Sequence, residues 1–199
     1  MDFHNRKSIR QCNHDYSQPC SYFITINIKM GQCLFGKATS ENEIQLNELG
    51  KMAQKLWIEI PDHFNHVQMD EFVIMPNHLH GIIHVGSLHV HDTSLTYPTD
   101  QYRDLPITFD VVQYIATSNK PNTANQFGSL PKGSLAVIIG QYKSAITRWA
   151  NQNRLGGLFS WHSLFYDRII SDSTTLTAAQ LYIRQNPAKW WKKYRDQSW

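Results

Sequence analysis

The sequence has few cysteines and no long apolar run, and each absence excludes a class of protein. Only three cysteines, Cys12, Cys20 and Cys33, occur among the 199 residues, and an odd number cannot all pair into disulfides. Their spacing from His14 fits no standard zinc motif, so free thiols in a reducing compartment are the simpler interpretation. No stretch of about 18 apolar residues is present, so no membrane-spanning helix is expected.

The chain also has only a small excess of positive over negative charge. The 19 basic and 16 acidic side chains leave a net charge of +3, which alone does not indicate a nucleic-acid-binding protein. Residues 1–7 lack the apolar stretch of a signal peptide, which favours the cytoplasm. Basic side chains near aromatic ones suit phosphates and unpaired bases, although an ordinary charged surface explains them about as well. The candidates for such contacts are Arg6, Lys7, Arg10, Lys143, Arg148, Arg168 and Lys189.

The length and composition are those of one domain, residues 1–199, interrupted by a polar insertion. Hydrophobic residues make up 41% of the chain and aromatic residues 12%, which is enough to build a core. Residues 86–134 are rich in Ser, Thr, Asn, Pro, Asp and Gln around one apolar island at 107–115. A segment this long without a regular pattern is usually either functional or disordered.

The rest of the chain alternates between strand and helix patterns. Apolar spacing predicts helices from Leu46 to Ile60, over 135–152 and over 173–186, with Pro61 and Pro187 ending two of them. Strands are predicted at 22–28, 71–75, 78–85 and 158–170. The order βαββαβ is typical of the ferredoxin-like (RRM-like) α+β fold, an antiparallel sheet with helices on one face, here with an additional C-terminal helix.

The most informative feature is a pair of apolar strands joined at Pro76-Asn77. Side chains alternate between the two faces of a strand, so His78 and His80 project from one face with Cα atoms roughly 6–7 Å apart. That spacing suits two ligands of one metal ion. His84 shares the face but lies roughly 13 Å from His78 by strand rise, too far to bind the same ion.

The last predicted helix supplies groups that would complete such a site. Tyr182 and Asn186 are four residues apart and share a helix face. An amide oxygen is a hard donor that suits Mg²⁺ or Mn²⁺ beside histidine nitrogens, and a tyrosine can act as a covalent nucleophile. A tyrosine on an amphipathic helix is more often a packing residue. Tyr142 and Tyr166 compete for the nucleophilic role, but neither has an amide one helical turn away.

Together these motifs resemble the HUH single-tyrosine transposases, and within them the REP-associated tyrosine transposases. The resemblance covers most of the chain. It rests on the string from Asp70 to Ile83, DEFVIMPNHLHGII, followed downstream by YIRQNP at 182–187. Shorter matches lie at 6–10, 15–17, 22–25, 33–36, 46–51, 142–148 and 166–170.

The resemblance implies a function and a set of roles. His78, His80 and Asn186 would bind Mg²⁺ or Mn²⁺, and Tyr182 would attack a DNA phosphodiester to give a 5′-phosphotyrosine and a free 3′-OH. Because the covalent link conserves the bond energy, a second 3′-OH could reverse the step and join new ends. The implied partner is single-stranded DNA with REP-like palindromic hairpins, and the implied assembly is either a monomer or a homodimer.

Two other functions are compatible with these residues. A catalytically inactive module that binds single-stranded nucleic acid would use the same sheet. A metal-dependent phosphodiesterase that uses water would leave Tyr182 with a structural role. The presence of all four residues, His78, His80, Tyr182 and Asn186, counts against the first of these.

Overall fold

The computed structural model describes residues 19–86, 133–155 and 157–196. Arg6, Lys7 and Arg10, most of the predicted insertion and its apolar island all lie outside these ranges. Within them the strands are β1 (Cys20–Asn27), β2 (Gly36–Ser40), β3 (Glu43–Leu46), β4 (Val67–Ile74), β5 (His78–Val85) and β6 (Tyr166–Ile170). The α-helices are α1 (Glu48–Ile58), α2 (Ile60–His63), α3 (Leu135–Gln152), α4 (Ser173–Arg184) and α5 (Asn186–Tyr194).

Four of the strands form one antiparallel sheet in the order β4-β5-β1-β6. The predicted α+β class and the antiparallel sheet are therefore confirmed. Strands β2 and β3 pair with each other in a separate two-stranded hairpin. Strand β5 lies between β4 and β1, so its side chains occupy the interior of the sheet.

The two faces of the sheet carry different helices. Helices α1 and α3 cover one face, where alternate residues of β1 and β5 join the main hydrophobic core. Helix α4 lies on the opposite face, where Ile183 packs with Ile82 of β5 and Ile170 of β6. Each such aliphatic side chain contributes about 1.5–3 kcal/mol when fully buried. The main core includes Tyr22, Ile24, Ile26, Leu79, Ile83, Trp57, Ile138 and Ile146.

Gly81 allows a close approach between the sheet and α1. A Cβ atom built at this position would overlap the indole ring of Trp57, which is fully buried. The absence of a side chain on β5 therefore lets the largest ring of the core lie directly against the strand.

A β-bulge interrupts the pairing of β4 with β5. Met69 pairs with Ile83 and Phe72 pairs with Gly81, so Asp70 and Glu71 together stand opposite one residue of β5. A bulge of this kind bends the strand and redirects the side chains within it. Here it directs two consecutive acidic side chains toward α4, as their hydrogen bonds show below.

Both prolines that were predicted to end a helix also lie in the first turn of the next one. Pro61 is in the first turn of α2, and Pro187 is in the first turn of α5. Proline is tolerated there because the first N–H groups of a helix have no intrahelical partner. The preceding helices end at Ile58 and Arg184, just before these prolines as expected, but the new helix that begins beside each proline was not predicted.

Three other boundaries differ from the prediction. Helix α1 begins after Asn47, whose side chain accepts a hydrogen bond from the Gly50 N–H at 3.0 Å, and Leu46 ends β3. Strand β4 begins at Val67, earlier than expected. Of the predicted strand region 158–170, only Tyr166–Ile170 pairs continuously, with an isolated bridge between Trp161 and Ile28 before it. None of the helices in the described ranges has the length and apolar character needed to cross a bilayer.

Candidate metal and tyrosine site

His78 and His80 lie side by side on β5, on the sheet face that carries α4. Their ring centroids are 4.6 Å apart and their planes are inclined by 73°. The strand alternation that predicted a shared face is therefore seen in the structure. Ring separation of this kind brings two imidazole nitrogens near a common point.

Polar neighbours hold one nitrogen of each ring. The Nδ1 atom of His78 lies 2.6 Å from Oδ1 of Asn77, and the Nδ1 atom of His80 lies 2.8 Å from Oγ1 of Thr25. Because an amide oxygen only accepts, His78 donates its Nδ1–H to Asn77. Metal-binding histidines are commonly oriented by a hydrogen bond of this kind, which leaves Nε2 for the metal.

Both imidazoles are neutral at pH 7. Burial lowers the pKa of His78 to about 4, against the opposing effect of a hydrogen bond with Asn186. Burial also lowers the pKa of His80 to about 3, the nearby charge of His78 acts in the same direction, and a hydrogen bond with the Ile24 backbone opposes both. Neutral rings keep the lone pairs that metal binding requires.

Tyr182 on α4 reaches over this pair of histidines. Its ring centroid is 5.3 Å from that of His80 and 5.7 Å from that of Phe23, with edge-to-face geometry in both contacts. Phe23 in turn stacks on His80 at 5.3 Å. The Nζ atom of Lys189 lies 4.7 Å from the centroid of the tyrosine ring. Tyr182 nevertheless stays 41% exposed, so a ligand can approach it.

Asn186 joins the site from the start of α5. Its side chain is only 6% exposed and hydrogen-bonds to His78. One turn later, Trp190 packs on the His78 ring at 5.6 Å. The sequence placed Tyr182 and Asn186 on one helix, but the boundary between α4 and α5 falls between them. Gln185, at that boundary, keeps a helical backbone, and both side chains still reach the histidines.

The acidic residues of the bulge fasten α4 to β4. The Gln180 amide donates to both carboxylate oxygens of Asp70, at 3.1 and 3.0 Å. One turn later on the helix, Arg184 donates from Nε to Glu71 at 3.0 Å. These two contacts, which we call the α4 clamp, fix the helix on the side opposite to Tyr182.

His84 supports the clamp from β5. Its Nε2 donates to Asp70 at 3.3 Å, and its Nδ1 lies 2.6 Å from the Ser21 hydroxyl. Burial would raise the pKa of Asp70, but hydrogen bonds from His84, the Glu71 backbone N–H and Gln180 outweigh it and hold the pKa at about 2. The carboxylate is therefore charged, and His84 belongs to the hydrogen-bond network of the clamp.

The clamp was missed from the sequence, although a signal for it was present. Gln180 and Arg184 are spaced one helical turn apart, and the adjacent residues Asp70 and Glu71 interrupt the alternation of apolar and polar residues that begins at Val67. The two acidic side chains are complementary in charge and hydrogen bonding to the two helix side chains. Nothing in the pattern identified which strand and which helix would meet.

The other tyrosine candidates lie elsewhere. Tyr142 is buried in the main core beneath the opposite face, and its hydroxyl donates to the Ala53 carbonyl at 3.0 Å. Burial raises its pKa well above the ordinary value. Tyr166 is on the same face as the histidines but on the edge strand, two strands away from β5. Of the three tyrosines, Tyr182 is the one in contact with the histidine pair.

The candidate DNA contacts separate into two groups. Lys189 touches Tyr182, and Arg168 is exposed on the histidine face of β6. Lys143 and Arg148 are on α3, which covers the other face. Lys143 donates to the carbonyls of His162 and Ser163 at 2.8 and 3.4 Å, and burial lowers its pKa, so its ammonium stabilises that loop.

The donors gathered here fit a hard divalent ion only if an amide is included. In the described ranges, no group of three or more His, Cys, Asp or Glu side chains is arranged to hold a metal. Two neutral imidazoles together with the buried amide of Asn186 make a three-donor set that suits Mn²⁺ or Mg²⁺. The residues present are thus compatible with the expected ion.

The fold defines a class, an α+β protein with a four-stranded antiparallel sheet, and its architecture is similar to that of a solved tyrosine transposase. A solved structure described as the REP-associated tyrosine transposase bound to a REP hairpin matches 90% of this chain and 73% of that chain, with a TM-score of 0.51 and 13% identity. At that identity the match shows a common fold.

By sequence, an uncharacterized protein of Haemophilus influenzae is 34% identical over 191 residues, which cover 94% of this chain and 91% of that protein. The chain belongs to the same family as that protein. No protein-family model matches the chain.

Proposed function

We propose that this protein is a single-tyrosine HUH transposase that cleaves and rejoins hairpin-forming single-stranded DNA through a 5′-phosphotyrosine intermediate. The observation that carries the proposal is the contact of Tyr182 with His80, beside His78 and Asn186, on a fold shared with a tyrosine transposase. A core tyrosine would be buried, whereas Tyr182 presents its ring to solvent above two histidines.

In this reaction the Tyr182 oxygen forms a bond to phosphorus, and the bond from phosphorus to the 3′ oxygen breaks. The leaving 3′ oxygen takes up a proton, and the phenol loses its own. A divalent ion, Mg²⁺ or Mn²⁺, held by His78, His80 and Asn186 would polarise the scissile phosphate. Phe23 packs against both Tyr182 and His80 and so fixes the angle between the nucleophile and the histidine. The Lys189 ammonium is placed to attract the phosphate.

Two features bear on substrate and assembly. The related solved structure holds a REP hairpin, which supports hairpin DNA as the substrate of this chain. The α4 clamp holds Tyr182 over the histidines of the sheet in the same chain, and this contact favours a site complete within one protomer over a shared one. A cytoplasmic location and a single domain with an insertion stay predictions.

The test uses a hairpin-forming strand from DNA that flanks the gene, labelled at its 3′ end, because the fragment with the 5′ phosphate stays on the protein. After incubation with Mn²⁺, a denaturing gel should show a labelled protein adduct. Tyr182→Phe should abolish the adduct but keep binding, and Tyr166→Phe is the matched control that should keep both. His80→Ala should lose the adduct together with Mn²⁺ binding measured by calorimetry.

Each alternative function gives a different gel. Cleavage that persists in Tyr182→Phe would indicate a phosphodiesterase that uses water. Binding of the hairpin with neither cleavage nor adduct would indicate a module that only binds nucleic acid. An adduct that persists in Tyr182→Phe but disappears in Tyr166→Phe would assign the nucleophile to the edge strand and refute the proposal.

A further inference from the structure

Tyr166 occupies an exposed position on the same sheet face as the histidine pair, two strands away, and the proposed reaction does not use it. It is 43% exposed and lies on the edge strand β6. Tyr166 pairs with Thr25 of β1, and Thr25 pairs with His80 of β5. Paired residues on neighbouring strands point to the same face, so His80, Thr25 and Tyr166 form one row across the sheet. Two strand spacings separate the Cα atoms of His80 and Tyr166 by about 10 Å.

A second ring faces Tyr166. The ring of His162 lies 6.4 Å from it between centroids, with an angle of 21° between the planes. The backbone N–H of His162 donates to the Asn27 carbonyl at 2.8 Å, which fixes this loop to the end of β1. Aromatic rings in offset-stacked contact have centroids about 4.5–7 Å apart. The two near-parallel rings therefore form one continuous aromatic surface, on which a base can stack.

The charge around this pair is suited to a polyanion. Arg168 follows Tyr166 by two residues on β6, shares its face and is exposed. Asp167 between them points to the opposite face by strand alternation. The face thus presents two near-parallel rings with a cation on one side and the histidine pair on the other.

We propose that Tyr166 and His162 bind one unpaired base of the DNA strand, and that Arg168 contacts a phosphate of the same strand. This inference rests on the proposed function, because a strand with its scissile phosphate at the histidines would continue across β1 to β6. Stacking of a base on aromatic rings tolerates any base and contributes about 1–3 kcal/mol per base by alanine substitution. The site would bind an unpaired base and would exclude a base within a duplex.

Fluorescence anisotropy without divalent metal tests this inference on the intact chain, because no cleavage can then occur. The probes are two forms of the same labelled hairpin, one with a normal single-stranded flank and one with an abasic flank of equal charge. Tyr166→Ala should weaken binding of the normal flank about tenfold and leave binding of the abasic flank unchanged. Tyr166→Phe should bind as the wild type does, and His162→Ala should show a loss in the same direction.

The matched control is a variant that removes an exposed apolar side chain outside the proposed stacking site. Leu158 is 66% exposed and follows the C-terminal end of α3, so Leu158→Ala should not change binding of either probe. If Tyr166→Ala and the wild type bind the normal flank equally, the stacking site is refuted. The stacking site is also refuted if Tyr166→Ala loses the same affinity for both probes. If the wild type binds neither probe, both proposals fail. If flank discrimination depends on Tyr166 but no adduct forms through Tyr182, only the proposed reaction fails.

Discussion

Replacement of Gln180 by methionine should loosen α4 without changing the sheet beneath it. The amide of Gln180 donates to both oxygens of the buried Asp70 carboxylate, and methionine keeps the length of the side chain and a similar helix propensity. Hydrogen bonds to a charged group contribute about 1.5–3 kcal/mol. Because Gln180 is half-buried, we expect a loss of about 2 kcal/mol. For a protein of this size that corresponds to a fall in Tm of about 4–8 °C.

The same substitution should affect the proposed chemistry more than binding. Tyr182 lies on α4, whereas the histidines lie on β5, and the Gln180 amide bonds to Asp70 of β4. A displacement of about 1 Å at a reacting group can cost about 100-fold in rate. We therefore expect Gln180→Met to form the tyrosine adduct at least about tenfold more slowly, while hairpin binding stays near its wild-type value.

Differential scanning fluorimetry and a time course of adduct formation measure the two effects. The matched control is Gln54→Met on α1, where the glutamine is half-buried and makes no recorded side-chain hydrogen bond within the described ranges. Gln54→Met should leave both quantities near their wild-type values. If Gln180→Met has the same Tm as Gln54→Met and forms the adduct at the wild-type rate, the α4 clamp does not position Tyr182.

Two further predictions concern stability. The pKa of Asp70 is about 2 in the fold against an ordinary value of 3.8. The carboxylate therefore stabilises the fold by about 2 kcal/mol above pH 4, and this is lost as the pH falls from about 4 to about 2. Urea titrations of Asp70→Asn should lack most of that dependence. Gly81→Ala should cost about 1–3 kcal/mol by overlap with Trp57. Gly140→Ala, within α3 and with open space around it, should stabilise by about 0.5–1 kcal/mol.

Each of these stability predictions can be contradicted by a specific result. A wild-type protein and an Asp70→Asn variant with parallel pH profiles would show that the carboxylate titrates normally in the fold. Destabilisation by both glycine substitutions, or by neither, would contradict the assignment of Gly81 to a close approach and of Gly140 to an open helix surface.

The parts of the site that follow from strict geometry could be predicted from the sequence. A strand has a period of two residues, so the common face of His78, His80 and His84 follows from their spacing alone. The end points of β5 and α3 also agree with the prediction, because apolar side chains recur along each at the period of its structure.

The rest depends on contacts between elements that no local pattern specifies. The bulge at Asp70-Glu71 changes the strand period at one point, and its partner groups on α4 are distant in the sequence. Pro187 is equally compatible with the end of one helix and the beginning of another, and the choice depends on how Asn186 and Trp190 pack against His78. The approach of His162 to Tyr166 depends on the hydrogen bond between the His162 N–H and the Asn27 carbonyl at the end of β1.

The bulge in β4 separates the control of two parts of the site. The register of β5 in the sheet sets the positions of the histidines. The positions of Asp70 and Glu71 along β4 set the position of the tyrosine helix, because the α4 clamp joins them. Deleting one residue of the bulge would shift the helix anchors by about 3.3 Å, one strand step, and would leave the histidine pair where it is. The distance between the nucleophile and the histidines is therefore a property that insertions and deletions in one strand can adjust, independently of the two histidines themselves.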